Sequence, residues 1–100
     1  MVKLTVLNGR PTDPEAFERH YTGTHLPLAA RIPHVVKAEA ARVIGTPDGS
    51  TPPYYRIFEA WFQSMEQLQG GLGGPEGQAA VADLPNFATG GVTILISDIA

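Results

Sequence analysis

Val2, Leu4 and Val6 alternate with Lys3 and Thr5, the period of two that marks a strand with one face in a core. Asn8-Gly9-Arg10-Pro11 interrupts the alternation as a turn. Thr12-Asp13-Pro14-Glu15 then supplies an N-cap candidate, a proline suited to the first helical position and an acid in the first turn. The spacing predicts a helix from this point, with Phe17, Tyr21 and Thr24 on one side at intervals of four and three. Pro27 has no N–H to donate and its ring clashes with the carbonyl four residues back, so the regular helix is expected to end or kink between Gly23 and Leu26.

Alternation resumes from Val35 to Ile44, where Val36, Ala38 and Ala40 are set against Lys37 and Glu39; this reads as a second strand. The segment from Gly45 to Pro53 is dense in turn-forming residues and reads as a hairpin connection. Tyr54 to Phe62 is aromatic-rich and predicts a third strand. Ser64 can cap a helix whose apolar positions are Met65, Leu68 and Leu72. Gly70-Gly71 and Gly73-Gly74 weaken it, Pro75-Glu76 restarts a second helical piece through Ala79, Ala80 and Leu84, and Pro85 closes that piece. Val92 to Ser97 is the last strand. Strand, helix, strand, strand, helix, strand is the split pattern of an α+β fold, a ferredoxin-like βαββαβ sandwich with a four-stranded antiparallel sheet and its helices on one face. A single domain spanning residues 1–100 is expected.

Two helices cover one face of such a sheet, yet both faces carry large apolar groups. In the third strand Tyr55, Ile57 and Trp61 point one way while Phe58, Ala60 and Phe62 point the other; in the fourth, Val92, Ile94 and Ile96 oppose Leu95, beside Thr93 and Ser97. Exposing these side chains forfeits about 1.5–3 kcal/mol each, so a second copy of the chain is expected to cover the helix-free face. Two sheets packed face to face give a dimeric α+β barrel, with Glu59 and Thr93 expected to line a cavity between sheet and helices. The competing reading is an ordinary monomer core with the facing shifted by one residue at a bulge.

Composition narrows the function. Cysteine is absent, which removes disulfides, thiolate nucleophiles and Cys-based metal sites and suits a reducing compartment. No apolar run approaches the ~20 residues of a membrane span, and the opening residues read as a strand, not a signal peptide. A cytoplasmic protein with no membrane partner is expected. Seven Lys and Arg against ten Asp and Glu give a net charge of -3, opposite to the basic stripe a nucleic-acid partner requires.

Of the three histidines, His25 follows Tyr21 by four residues and Phe17 by eight, so a continued helix places all three on one face. It reads either as an acid/base group or ligand anchor, or as a cap on the carbonyls at the helix end. His20 is five residues from His25, about 140° around a regular helix, and the two make a poor metal pair. His34 follows Pro33 in a turn and reads as solvated. No metal is assigned, and no serine elbow or phosphate loop is present. Tyr54, Tyr55, Trp61 and Phe87 read as an aromatic wall or as plain core. Glu59 faces either the cavity or Arg56 and Lys37 at the surface.

"YTGTHLPL", from Tyr21 to Leu28, resembles the Tyr-x-x-x-His-x-Pro-Leu signature of the EthD family, named for a gene in ethyl tert-butyl ether degradation. The resemblance extends through "MVKLTVLNGRPTDPEAFERHY", "PPYYRIFEAWF", "GGPEGQAAVADLPNFATGG" and the final apolar strand. It implies a homodimeric α+β barrel, related in fold to muconolactone isomerases, polyketide cyclases, cofactor-free monooxygenases and stress-responsive barrels. It marks His25 and Tyr21 as the motif's catalytic pair but supplies no reaction. The expectation is a cofactor-free protein that binds a small apolar, oxygenated or aromatic compound, with Phe17, Tyr55, Glu59, Trp61 and Phe87 as ligand-binding candidates. It acts either by proton transfer, isomerisation or oxidation, or as a non-catalytic binding or stress-related barrel.

Overall fold

The computed structural model describes residues 1–100. Four strands, β1 (Val2–Asn8), β2 (Lys37–Arg42), β3 (Arg56–Phe62) and β4 (Val92–Asp98), form one sheet in the order β2-β3-β1-β4. All three neighbouring pairs are antiparallel. This is the expected ferredoxin-like α+β sandwich. No helix is long and apolar enough to cross a membrane.

The first helical segment departs from expectation. Asp13 caps α1 (Pro14–His20) by accepting the Ala16 N–H, but Pro27 does not break the chain. The helix instead widens into a π-helical turn, Tyr21–His25, and continues as α2 (Leu26–Ala29). The Leu26 N–H reaches back five residues to the Tyr21 carbonyl. A wider turn accommodates the proline ring and its missing donor without ending the helix. The side-chain positions rotate with it: Thr24, expected on the buried side, is exposed, and His25 is buried in its place.

Ser64 caps α3 (Met65–Gly73) through the Gln67 N–H. The chain bends at Gly74 into α4 (Pro75–Asp83), and a 3₁₀ turn, Leu84–Asn86, comes next. Gly77 allows α4 to lie directly on α3, since a Cβ there would meet the backbone of Gly71 and Leu72. The hairpin between β2 and β3 turns at Gly49, whose φ of +81° favours glycine. Asp48 ties that loop by accepting from the Ser50 N–H and the Thr46 and Ser50 hydroxyls.

Cross-strand register divides the sheet faces. Val2, Leu4 and Val6 pair with Phe62, Ala60 and Phe58 on the helix side, where Leu4, Ala60, Phe62 and Leu68 form one core cluster. Phe17, Tyr21, Leu84 and Phe87 form a second. On the helix-free side lie Thr5, Leu7, Ile57, Glu59, Trp61, Thr93 and Leu95. The thinnest dimension is 17 Å, room for the sheet and a single helical layer. Strand boundaries move: β2 and β3 are shorter than their apolar runs, and Tyr55, expected beside Ile57 and Trp61, precedes β3 at a bend and packs against Phe17 on the helix side. The expected cavity placement of Glu59 and Thr93 is corrected too. Both face away from the helices, and Glu59 pairs with Lys3 at 2.8 Å, not with Arg56 or Lys37.

Candidate functional site

The π-helical turn changes the relation between two histidines. With i to i+5 hydrogen bonding, residues five apart lie nearly one above the other, so His20 and His25 come to the same side. This overturns the 140° separation expected from a regular helix. Between them sits Asp83, in the last turn of α4. His25 Nδ1 is 2.9 Å from Asp83 Oδ2, and His20 Nε2 is 2.8 Å from Oδ1 and 3.0 Å from Oδ2. The Asn86 amide donates to Oδ1 at 2.9 Å.

Asp83 is 7% exposed and His25 9%. Burial alone drives a carboxyl toward its neutral form, but hydrogen bonds from Asn86, His20 and His25 outweigh it and hold Asp83 below the usual carboxylate range. Burial lowers the pKa of His25, and its bond to Asp83 opposes that shift only in part. The stable arrangement is therefore an ionised Asp83 accepting the Nδ1–H of a neutral His25. Nε2 then keeps its lone pair and forms no hydrogen bond within the chain.

Phe87 closes the space behind the two imidazoles, stacking on His20 at 5.3 Å and tilting against His25 at 4.5 Å. Phe17 touches Tyr21, Tyr55 and Phe87, each at 5.2 Å between ring centroids. Tyr21 stacks on His25 at 5.9 Å and carries the Arg56 guanidinium over its ring, while Glu18 holds Arg56 from its other side. Burial pushes the Tyr21 phenol up, against the pull of Arg56, and its hydroxyl is buried without a partner. A tyrosine in that state keeps its proton.

On its other side His25 lines a chamber of about 70 Å³ between helices and sheet, together with ten hydrophobic residues that include Val6, Phe58, Leu84 and Ile94. A larger cavity of about 430 Å³ runs toward β2. The two share Leu4, Ala29, Ile32 and Phe58 as walls. Of the residues expected to bind a ligand, Phe17, Tyr55 and Phe87 form the packed backing of the imidazole pair and line neither cavity, and Tyr21 lies with them. Trp61 is on the opposite side of the sheet, with Lys37 over its ring at 4.9 Å, and Glu59 is beside it. No group of three or more His, Cys, Asp or Glu side chains is arranged to hold a metal ion.

A model of the EthD domain matches residues 9–91. The chain belongs to the EthD family. An uncharacterised 11.0 kDa protein from the thcB-thcC intergenic region of Rhodococcus erythropolis is 41% identical over 98 residues, covering 98% of this chain and 94% of that protein. The crystal structure of an ethyl tert-butyl ether degradation family protein from Bacillus halodurans superimposes with a TM-score of 0.93 at 34% identity, covering 100% and 99% of the two chains. A dimeric ferredoxin-like protein of unknown function from Thermobifida fusca shares the fold, with a TM-score of 0.72 at 17% identity over 98% and 90%.

The residue that sequence reasoning missed in this EthD protein is Asp83, which lies 58 and 63 positions from the histidines it joins. One signal marked it: a carboxylate in the last turn of a helix opposes the helix dipole, inside the apolar run from Ala79 to Leu84. Such a local conflict requires compensation from elsewhere in the fold.

Proposed function

We propose that this EthD protein is a cytoplasmic homodimer that binds a small apolar, oxygenated or aromatic compound beside His25 and removes a proton from it without a cofactor. The observation that carries this reading is the bond from His25 Nδ1 to Asp83 Oδ2 at 2.9 Å. It fixes the tautomer that leaves Nε2 as a base, and it holds the imidazolium that forms when Nε2 takes the proton. His25 is the catalytic residue. Tyr21, its hydroxyl sealed away from both cavities, positions the imidazole by stacking, and Asp83 positions it by charge. The walls fit an apolar ligand, since all ten residues that line the smaller chamber with His25 are hydrophobic.

Homodimerisation is supported by the helix-free face, where Ile57, Trp61 and Leu95 stand without a covering layer, and by β4, exposed along its whole length. The dimeric Thermobifida relative is consistent with it.

4-Nitrophenol, an oxygenated aromatic whose phenolate is coloured, provides the test. Bound to the wild-type protein near its own pKa, it is expected to show a larger share of the phenolate band than when bound to His25→Gln at the same pH. An equal share in the two proteins rejects the base, as does binding that never ionises the phenol. The second outcome favours the alternative of a non-catalytic binding barrel.

A further inference from the structure

Asp83 carries a single negative charge and serves two imidazoles, which are not equally placed. An ionised carboxylate has no hydrogen to donate, so the ring nitrogen that each histidine turns to it carries the hydrogen: Nδ1 in His25 and Nε2 in His20. His20 is left with Nδ1 as its basic nitrogen. That atom forms no hydrogen bond in the chain, and the His20 side chain is 28% exposed against 11% for His25. His20 can therefore take a proton from water without moving, its Nε2–H still held by both carboxylate oxygens at 2.8 and 3.0 Å.

The trio can hold one such proton in balance. With both rings neutral it is an anion, and one proton makes it neutral. A second leaves an unbalanced positive charge among the buried side chains of Phe17, Leu84 and Phe87, which is costly. No other charge on this side offsets it. Arg56 of β3 is bound to Glu18 of α1 and lies over the Tyr21 ring. On α4 the remaining acid, Glu76, is in the first turn, at the far end of the helix from Asp83. Burial weakens His25 as a base, Asp83 opposes that, and a charged His20 adds to it.

From this geometry we infer that His20 is a positioning residue that switches the base. Neutral, it pins Asp83 for His25; protonated, it takes the carboxylate as its own counter-ion, and His25 no longer holds a proton drawn from the ligand. That proton then stays on the ligand's oxygen, and no bond to it breaks. This rests on the base proposed above and adds what turns it off.

The histidine ring signals, followed by NMR as pH is lowered, test the switch without a ligand. In the wild type the His25 signals are expected to move in two steps, first as His20 takes its proton and then as His25 takes its own. His20→Gln keeps a donor for Asp83 but cannot charge, and should leave one step, at higher pH than the second step of the wild type. His25→Gln should leave the His20 step in place, because His25 is still neutral when His20 titrates. Bound 4-nitrophenol supplies the second readout: its ionised share should be lost as His20 titrates in the wild type and survive that step in His20→Gln. A phenol that is never ionised in the wild type removes the base and this inference with it. A His25 titration unmoved by His20→Gln, a His20 step displaced by His25→Gln, or an ionised share that falls alike in both proteins overturns the role of His20 and leaves the base standing.

Discussion

His20 and His25, five residues apart in sequence, hold the same carboxylate: each has a ring nitrogen within 2.9 Å of an oxygen of Asp83. Removing that acceptor leaves three donors, those of both histidines and Asn86, without a partner. Asp83→Ala is expected to cost about 3 kcal/mol, the scale of losing a charged hydrogen-bond acceptor from a buried site, as measured by urea denaturation. A loss below half of that would show that the three donors find other partners.

Stability should depend on pH through His25. Burial lowers its folded pKa below the ordinary value of 6.5, so the unfolded chain binds the proton more readily. The contribution is fully present above pH 6.5 and is lost as pH falls from there toward the folded pKa. Denaturation midpoints of the wild type are expected to decline over that window, and His25→Gln should flatten the slope. Asp83, also depressed, adds a second loss in more acid solution, as pH falls below its ordinary 3.8 through its folded value.

Phe87 is 3% exposed and packs against both imidazoles. Phe87→Ala is expected to destabilise by about 3–5 kcal/mol. It should also raise the pKa of His25 toward its ordinary value by admitting water, read from the histidine NMR titration. An unmoved titration would show that Phe87 does not keep the imidazole dry.

Gly77→Ala tests the contact between α3 and α4. The added methyl meets the backbone of Gly71 and Leu72, which has no rotamer to escape into. Thermal unfolding should register a loss of about 1–3 kcal/mol; a neutral result would mean that the two helices separate freely.

Leu95→Arg places a charge on the helix-free face while touching neither cavity. Sedimentation velocity is expected to find it monomeric at concentrations where the wild type is a dimer. Co-sedimentation of variant and wild type as dimers would remove that face from the interface.

Much of the architecture was legible in one dimension. Alternation at Val2, Leu4 and Val6 set the inward face of β1, and Asp13, Ser64, Pro14 and Pro75 marked helix starts because capping and proline geometry are local. The Tyr21-to-Leu28 motif identified the family and singled out His25. The aromatic wall did not survive as one unit: Tyr55 leaves its alternation at a bend, and Trp61 faces away from the helices.

The sequence by itself determined the element order, the apolar faces and the histidine worth watching, since each follows from spacing along the backbone and from residues that act on their own turn. Only the tertiary structure decided what that histidine can do. A proline did not end its helix but widened it by one residue, because packing of Phe17 and Tyr21 on one side and Ala29 on the other kept the chain helical through the defect. That extra residue turned His25 onto His20, and α4, nearly sixty residues later, delivered the carboxylate they share. Hydrogen bonds across such separations depend on how helices lie on the sheet, and periodicity along a single chain does not encode that distance.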